Sequence, residues 1–332
     1  MILDWEGDDW SAALVDSPAG VLDGRAVAKA VRRRVRGGVK ALKERGLCPR
    51  LAVVQVGEDE ASSIYIRHKQ RACEDVGMVG EHYHLPGNID QTALRQRLRE
   101  LNDSDDVHGV LLQLPLPDHL DSAAVMPYVD PTKDVDGFHP TNLGALMTRR
   151  GLLEPCTPRG ILRLLRAASI DPRGMQAAVI GRSVIVGRPM GLMLTRADAT
   201  VTICHRHTTN LEEVVRRSEL IVVATGVPGL IKGHWIGSGA TVVDVGITRL
   251  PSGLSGDVEY EEARQRARWI TPVPGGVGPM TVAMLMENTL KAACIAQEWV
   301  IRGDEALDAE SVGLHYGHSR RGELTWLSPE GR

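Results

Sequence analysis

The stretch Ala177-Ala-Val-Ile-Gly-Arg-Ser-Val-Ile-Val-Gly187 decides the fold of the second half of the chain. A short apolar run (177–180) ends in Gly181, and helical character begins after Gly187, which predicts a strand, a glycine turn and a helix. Three further apolar runs are nearly continuous, as is typical of strands covered on both faces of a parallel sheet. These runs cover residues 200–204, 220–224 and 241–244. We therefore predict a doubly wound, Rossmann-like domain.

The first half shows the same alternation of helix and strand. Five apolar residues recur at helical spacing after Gly24 and predict a surface helix with one buried face. They are Val27, Val31, Val35, Val39 and Leu42. Short apolar runs at 51–56 and 109–113 predict strands. We expect an α/β protein of two domains, with a cleft between them.

The domain limits follow from these two series of elements. They are 1–17 for an N-terminal extension, 18–155 for the first domain, 156–280 for the Rossmann-like domain and 301–332 for a C-terminal tail. A helix at 281–300 is expected to return to the first domain and complete it. The helix that opens the second domain is predicted to have Thr157 as its N-cap and Pro158 as its first residue.

The two ends differ from the body of the chain. Residues 1–17 hold five acidic residues and no basic one, and residues 301–332 lack sustained periodicity. Four of the six tryptophans lie at or near these ends: Trp5, Trp10, Trp299 and Trp326. We expect one or both ends to dock on the body or on a partner subunit. Partly ordered tails are the alternative interpretation.

Composition excludes several classes of protein. The 39 basic and 42 acidic residues give a net charge of -3 without a basic stripe, so we predict no nucleic-acid partner. The five cysteines form no CxxC pair, which argues against a disulfide framework or a zinc site and favours a reducing compartment. No apolar stretch is long enough to span a bilayer, and the acidic start is unlike a signal peptide. We expect a cytoplasmic protein that does not bind membranes.

The glycine loop after the first strand of the second domain indicates a dinucleotide site, although its spacing is not GxGxxG. The next strand ends in Cys204-His-Arg-His-Thr208, where NAD-binding domains usually place a carboxylate for the ribose. Arg206 and Arg182 instead suit a 2′-phosphate, which favours NADP over NAD unless both arginines are merely solvated. The predicted cofactor-binding residues are Gly181, Arg182, Ser183, Gly187, His205, Arg206, Thr225, Gly226, Gly246 and Ile247. Simple loop glycines are the alternative, above all at Gly246.

A lysine and a tyrosine in the first domain are candidates for catalysis. Tyr65 and Lys69 stand four residues apart in a segment with helical character, so both side chains project from one face. A packed tyrosine beside an exposed lysine is the alternative. Gln113 ends a strand before two prolines, and Lys133-Asp-Val-Asp-Gly-Phe138 places two carboxylates in a loop. The segment 271–281, rich in glycine and proline, is rigid enough to approach a flat ligand closely.

These segments together resemble the methylenetetrahydrofolate dehydrogenase/cyclohydrolase family, the FolD-type enzymes, over roughly residues 20 to 297. Six motifs in order carry the resemblance: VGEDEASSIYIRHK (56–69), QLPLP (113–117), KDVDGFHPTNLG (133–144), PCTPRG (155–160), IGRSVIVGRPM (180–190) and TPVPGGVGPMT (271–281). The resemblance implies oxidation of 5,10-methylenetetrahydrofolate with NADP⁺, followed by hydrolysis of the methenyl product to 10-formyltetrahydrofolate. It also implies tetrahydrofolate substrates and a homodimer.

The resemblance assigns roles to the candidate residues. Lys69 is implied as the catalytic base, supported by Gln113 and Tyr65, while Asp136 binds the pterin. The residues implied to contact the substrate are Tyr65, Asp136, Pro274, Gly275 and Gly276. A carboxylate suits the pair of N–H donors on a pterin edge, and a cationic methenyl substrate favours a neutral lysine. The histidines show no HExxH or similar spacing, so we expect no metal.

Two other hypotheses compete with this one. A two-domain dehydrogenase of the shikimate or amino-acid type would share the cofactor domain and a catalytic lysine, but does not explain QLPLP or KDVDGF. A folate- or nucleotide-binding regulatory protein would keep the pocket without turnover, and the presence of Lys69 argues against it. A monofunctional dehydrogenase would stop at the methenyl product.

Overall fold

The structure, a computed structural model, describes residues 2–4, 10–14, 17, 20–148, 153–251, 253–297 and 300–302. Its strands are β1 (Ile2–Asp4), β2 (Arg50–Val56), β3 (Val79–Leu85), β4 (Gly109–Leu112), β5 (Gln176–Ile180), β6 (Thr200–Cys204), β7 (Leu220–Val223), β8 (Thr241–Asp244), β9 (Thr248–Leu250), β10 (Gly253–Ser255), β11 (Trp269–Ile270) and β12 (Val300–Arg302). Its α-helices are α1 (Gly24–Lys43), α2 (Glu60–Val76), α3 (Gln91–Asp103), α4 (Ser122–Val125), α5 (Pro140–Thr148), α6 (Cys156–Ala167), α7 (Gly187–Arg196), α8 (Leu211–Arg217), α9 (Tyr260–Arg266) and α10 (Val277–Ile295). Short 3-10 helices cover Trp10–Leu14, Met126–Tyr128 and Gly233–Trp235.

The second half of the chain forms a five-stranded parallel sheet in the order β11-β8-β7-β5-β6. The central strands β7 and β8 are buried along their whole length, which explains their continuous apolar sequences. All the loops after β5, β6, β7 and β8 leave from the carboxyl edge, where open parallel sheets bind ligands. The predicted Rossmann-like, doubly wound fold is confirmed.

A smaller parallel sheet, in the order β3-β2-β4, forms the first half. Helix α1 begins where Asp23 accepts hydrogen bonds from the backbone N–H groups of Arg25 and Ala26, at 2.9 and 3.2 Å. The five apolar residues that predicted this helix, from Val27 to Leu42, are all buried. Periodicity therefore identified both the helix and the face that packs into the core.

The last long helix, α10, lies against the first half of the chain. It packs on α1 and α6, and Asn288 Nδ2 donates hydrogen bonds of 2.9 Å to the carbonyls of Val135 and Glu154. The return of a C-terminal helix was predicted, but α10 begins at Val277 rather than near residue 281. Proline is tolerated in the first turn of a helix, so Pro279 does not delay its start.

The predicted cap of the helix that opens the second half is wrong. Helix α6 begins at Cys156 after Pro155, and none of the side chains that the structure describes caps it. The hydroxyl of Thr157 instead shares a 2.9 Å hydrogen bond with the hydroxyl of Thr281, on α10. The Thr157 hydroxyl, which the local pattern assigned to the cap, thus forms a tertiary contact between two helices instead.

The N-terminal segment docks on the body of the protein. Trp10 is 5% exposed, and its ring lies 5.4 Å from the guanidinium carbon of Arg34 and 4.7 Å from that of Arg163. The strand β1 pairs in parallel with β12. Trp5, Trp299 and Trp326, and most of the predicted tail 301–332, lie outside the described residues. No helix in the described part of the chain is long and apolar enough to cross a membrane.

Candidate active site

A lysine and an amide meet at the carboxyl end of the smaller sheet. Lys69 lies on α2, and its Nζ donates a hydrogen bond of 2.9 Å to Oε1 of Gln113, which follows β4. The orientation of this amide is fixed, because Gln113 Nε2 donates to the carbonyl of Leu114 at 2.7 Å and its backbone N–H donates to Val54. The amide oxygen is thereby presented to Lys69.

Burial lowers the pKa of Lys69, although Asp136 and Cys156 act in the opposite direction. The hydrogen-bond partner of Lys69 is an uncharged amide, which does not favour the ammonium form as a directly bonded carboxylate would. The site therefore lowers the free energy needed to make Lys69 a neutral amine. An amine of this kind can accept a proton from water.

Asp136 interacts electrostatically with this lysine and lies in the loop between the 3-10 helix Met126–Tyr128 and α5. Burial raises its pKa to about 6, and Lys69 is the main opposing influence. The neighbouring Asp134 is 2% exposed and shapes the loop by accepting hydrogen bonds from the His139 backbone N–H and from Asn142. Cys156 is buried next to Asp136, and its pKa is raised by burial. This thiol is a packed neighbour of the site, and its Sγ donates a hydrogen bond of 3.2 Å to the carbonyl of Val135.

Tyr65 connects the lysine group to a large cavity. It lies one helical turn before Lys69, is 39% exposed, and lines a cavity of about 960 Å³ between the two halves of the chain. Three other predicted residues line the same cavity: Pro274, Gly275 and Ile247. The predicted Gly276 is buried behind them, with its N–H bonded to the carbonyl of Pro272 at 2.8 Å. The lysine group itself does not line this cavity.

Several residues that line the cavity were not identified from the sequence. The most prominent are the cationic or titratable side chains Arg25, His68, Arg71 and Arg249. His68 and Tyr65 are three residues apart on α2, so helical periodicity did contain a signal for His68. Arg25 reaches the cavity because its backbone N–H donates to the carbonyl of Gly275 at 3.1 Å. Local sequence patterns cannot predict this contact, because the two residues are far apart in the chain.

The loop after β5 is built tightly around two glycines. Gly181 has a φ of 125°, and a Cβ there would lie 2.2 Å from the carbonyl oxygen of Ala224. A Cβ on Gly187 would lie 2.1 Å from the carbonyl oxygen of Gly181. Ser183 Oγ accepts hydrogen bonds from the backbone N–H groups of Val186 and Gly187, at 3.1 and 3.3 Å. Only glycine fits at 181 and 187, and Ser183 holds the turn between them.

Two exposed arginines stand at the positions predicted for them. Arg182 is exposed in the loop after β5, and Arg206 is exposed after β6, where its Nε donates to His207 at 3.1 Å. His205 is partly exposed, and its backbone N–H donates to the hydroxyl of Thr208 at 2.8 Å. Within the described ranges, neither arginine forms a salt bridge. Both guanidinium groups are available to an anionic ligand.

The remaining predicted cofactor residues differ in exposure. Gly226 is exposed with a φ of 71°, and Thr225 beside it is partly exposed. Gly246 is buried, and a Cβ there would lie 2.1 Å from Oδ1 of Asp257. Packing against Asp257 is thus sufficient reason for glycine at 246. Ile247, one residue further, is 41% exposed and faces the cavity.

These residues fit a nicotinamide dinucleotide. The glycine turns lie at the carboxyl edge of a doubly wound sheet, and the position usually held by a ribose-binding acid holds a cationic segment instead. Among the described residues no three histidine, cysteine or acidic side chains are grouped as metal ligands. The fold and the site together define the class of protein: a two-part α/β dehydrogenase whose dinucleotide loops face a cleft.

Comparison with protein families identifies the family within that class. The model of the tetrahydrofolate dehydrogenase/cyclohydrolase catalytic domain matches residues 22–136, and that of the NAD(P)-binding domain of the same family matches residues 155–297. The two matches cover most of the chain. It belongs to the tetrahydrofolate dehydrogenase/cyclohydrolase family.

Solved structures agree with this assignment. The bifunctional FolD dehydrogenase/cyclohydrolase of Campylobacter jejuni is 46% identical with a TM-score of 0.81, over 82% of this chain and 98% of that one. The Trypanosoma brucei enzyme, complexed with NADP cofactor and an inhibitor, is 39% identical with a TM-score of 0.81, over 84% and 98%. The methylenetetrahydrofolate dehydrogenase of the silkworm Bombyx mori is 39% identical with a TM-score of 0.80, over 85% and 100%.

The predicted family and activity are confirmed by these findings. The chain is an enzyme of methylenetetrahydrofolate oxidation and methenyltetrahydrofolate hydrolysis. The competing assignment to a shikimate-type or amino-acid dehydrogenase is rejected, because both halves of the chain match the folate family.

Proposed function

We propose that this chain oxidises 5,10-methylenetetrahydrofolate with NADP⁺ and hydrolyses the methenyl product to 10-formyltetrahydrofolate, with Lys69 as the base of the second step. The observation that carries the proposal is the hydrogen bond of 2.9 Å from Lys69 to the neutral amide of Gln113. We also propose that residues 18–155, completed by the helix returning at about 281–300, bind the folate, and that 156–280 bind the cofactor.

Hydrolysis needs a base next to the methenyl carbon. Burial already lowers the pKa of Lys69, and a cationic substrate in the site disfavours the ammonium further. Lys69 accepts a proton as water adds to the methenyl carbon. The bond from that carbon to N5 then breaks: the added hydroxyl loses its proton and becomes the formyl carbonyl, N5 gains a proton, and the formyl group stays on N10. Gln113 orients the amine without supplying charge. Tyr65, one turn away, forms a wall of the substrate site.

Recognition of the folate is assigned to a carboxylate and a rigid loop. The carboxylate of Asp136 accepts hydrogen bonds from the ring N–H and amino group of the pterin edge. Pro274 and Gly275, which line the cavity together with Tyr65, provide a flat surface against the folate. Gly276 supports this surface from behind. When bound, the nicotinamide supplies a hydride acceptor, so the protein must chiefly hold the two reactants in contact.

NADP is proposed as the cofactor on the basis of charge. Arg182 and Arg206 are exposed near the expected ribose position, and no salt bridge in the described part of the chain occupies either. Arginine binds phosphate through paired N–H donors. The Trypanosoma brucei relative was solved with NADP. The other proposed contacts come from Gly181, Ser183, Gly187, His205, Thr225, Gly226, Gly246 and Ile247.

The resemblance to FolD-type enzymes also supports a homodimer formed through the cofactor-binding halves, acting in the cytoplasm. Light scattering of the purified chain over a range of concentrations tests the dimer. A mass equal to one chain at every concentration would contradict it.

Following both chromophores during turnover tests the proposed function. Purified enzyme is mixed with methylenetetrahydrofolate and NADP⁺ or NAD⁺, and the absorbance of reduced cofactor and of methenyltetrahydrofolate is recorded together. We expect cofactor reduction, faster with NADP⁺, with little methenyl accumulation. Reduction with stoichiometric methenyl accumulation would leave a monofunctional dehydrogenase, and no reduction with either nucleotide would refute the proposal.

A further inference from the structure

A buried carboxylate lies behind the loops proposed to hold the dinucleotide. Asp257, after β10, is 0% exposed, and its Oδ2 accepts three hydrogen bonds. The donors are the backbone N–H of Thr225 at 2.7 Å, the hydroxyl of Thr225 at 2.8 Å and the backbone N–H of Gly226 at 2.9 Å. The Thr225 hydroxyl also accepts from the backbone N–H of Val227 at 3.2 Å. The loop after β7 is therefore folded around a single oxygen atom.

A second carboxylate joins this arrangement to the next loop. Oδ1 of Asp244, at the end of β8, accepts from the backbone N–H groups of Gly246 and Asp257, at 2.9 and 3.0 Å. The backbone N–H of Asp244 donates to the hydroxyl of Thr271 at 2.7 Å. Thr271 directly precedes the loop that contains Pro274. The two buried carboxylates, together with the backbone of Asp244, thus connect three loops that are far apart in the sequence.

Tight packing fixes the same segment. A Cβ on Gly246 would lie 2.1 Å from Oδ1 of Asp257, and a Cβ on Gly256 would lie 2.1 Å from Oδ2 of Asp244. Both carboxylates therefore pack directly against the backbone of a glycine. A shift of Asp257 would have to displace the loops themselves.

The charge on Asp257 has no cationic partner among the described residues. All three donors to Oδ2 are neutral, and no residue that the structure describes donates a hydrogen bond to Oδ1. Burial of a carboxylate without a cation is unfavourable, whereas hydrogen bonds to an ionised acceptor are about twice as strong as neutral ones. The strong hydrogen bonds to Asp257 therefore hold the loop firmly, while the burial of its carboxylate lowers the free energy of unfolding. A loop fixed before its ligand arrives loses less entropy on binding.

We propose that Asp257 is a positioning residue of the dehydrogenase half-reaction, which holds the loop Thr225–Val227 in the form that receives the dinucleotide. The inference rests on the proposed cofactor site, and Asp257 itself is behind the loop rather than in contact with the ligand. It predicts a separation of the two activities, because hydrolysis of methenyltetrahydrofolate uses Lys69 and requires no nucleotide.

The test compares both activities in Asp257→Ala and Asp257→Asn. Methenyl hydrolysis is measured without nucleotide, and dehydrogenase kcat and KM are measured over a range of NADP⁺ concentrations. In Asp257→Ala we expect dehydrogenase kcat/KM for NADP⁺ to fall about 10²-fold, the loss typical of reactants misplaced by about 1 Å, while hydrolysis is retained. Asp257→Asn keeps one accepting oxygen and should lie between the wild type and the alanine variant.

Two control variants separate positioning from general destabilisation. Val215→Ala removes buried volume from helix α8, which is not one of the three loops, and provides a variant of lowered melting temperature. Glu219→Ala removes an exposed carboxylate that accepts a 2.9 Å hydrogen bond from the Gln176 backbone at the opposite edge of the sheet. Both should keep the wild-type ratio of dehydrogenase to hydrolase activity.

The outcomes are distinct. A parallel loss of both activities in Asp257→Ala, or the same change of ratio in Val215→Ala, would overturn the inference, as would full dehydrogenase activity in Asp257→Ala. If the alanine variant does not fold, the asparagine variant decides: a raised KM for NADP⁺ with normal hydrolysis supports positioning, and an unchanged KM refutes it. A wild-type enzyme without dehydrogenase activity would instead refute the proposed function.

Discussion

Lys69 donates its hydrogen bond to the amide oxygen of Gln113, not to a carboxylate. Asp136 acts on it electrostatically and does not overcome the effect of burial, so the pKa of Lys69 is lowered. A carboxylate in the place of Gln113 would hold the lysine as ammonium, which cannot accept a proton. The neutral amide partner thus allows Lys69 to act as a base.

Loss of the amine should separate the two reactions. Lys69→Met keeps an unbranched side chain but removes the base, so methenyl hydrolysis should fall by about 10²- to 10⁴-fold. In the coupled assay, methenyltetrahydrofolate should accumulate while cofactor reduction continues. Arg67→Met, on an exposed position of the same helix, is the control and should behave as the wild type. Hydrolysis at the wild-type rate in Lys69→Met would exclude the lysine as the base.

A charged partner for Lys69 should shift the pH dependence of hydrolysis. In Gln113→Glu the new carboxylate favours the ammonium form and raises the pKa of Lys69. The fraction of neutral amine at pH 7 then decreases, and the rising limb of the pH–rate profile should move to higher pH. Gln113→Met, which removes the acceptor without adding charge, should not produce that upward shift. An unshifted profile in Gln113→Glu would contradict the role of Gln113.

Folate binding should depend on the ionisation of Asp136. Its pKa is raised to about 6, mainly by burial. Below that pH the carboxyl group is protonated and presents a donor to the pterin donors, so affinity should increase as the pH rises through about 6 and then level off. Titration of a stable folate, such as 5-formyltetrahydrofolate, between pH 5 and pH 8 measures this. Asp136→Asn should bind weakly and without that pH dependence, and a flat wild-type curve would argue against the carboxylate as anchor.

Cofactor selectivity should depend on the arginine after β6. Arg206→Gln removes a cation from the proposed 2′-phosphate site, so the KM for NADP⁺ should rise about tenfold, as expected for one charge-assisted hydrogen bond, with little change for NAD⁺. Arg173→Gln changes an exposed arginine before β5, at the amino edge of the same sheet, and should leave both constants unchanged. Equal weakening of both nucleotides in Arg206→Gln would remove the argument for a phosphate site.

The N-terminal segment should contribute measurably to stability. Trp10→Ala would empty the space between Arg34 and Arg163, and we expect the free energy of unfolding to fall by about 3 kcal/mol. Trp10→Phe should retain most of this, because it keeps an aromatic face for the two cations. Met147→Ala, a change at a residue 74% exposed, is the matched surface control. A Trp10→Ala melting curve that coincides with the wild type would show that the docked contact is inconsequential.

Sequence patterns predicted what depends on neighbouring residues. The helical spacing from Val27 to Leu42 identified a buried face, and the continuous apolar runs identified the central strands of the second sheet. The four-residue interval placed Tyr65 and Lys69 on one side of α2. In each case the period of the regular element determines which side chains are neighbours.

Contacts between distant segments were not predictable in this way. The hydrogen bond that Thr225 donates to Asp257, and the one between Thr157 and Thr281, join residues that no local period relates. Thr157 met the local criteria for a cap, but the contact with α10 determined its hydrogen bond. Gly246 was interpreted as a ligand-facing glycine or a simple loop glycine, and packing against Asp257 provides a third reason that only the assembled structure contains.

The position of α10 has a consequence for how the protein is made. Its residues are synthesised after the whole five-stranded sheet, yet they fill the core beside α1 and bond to the carbonyls of Val135 and Glu154. The half of the molecule that is synthesised first therefore exposes apolar surface until α10 has also been synthesised. Expressed without that segment, residues 22–136 should be prone to aggregation. The half that we propose to bind folate is thus synthesised early and completed late.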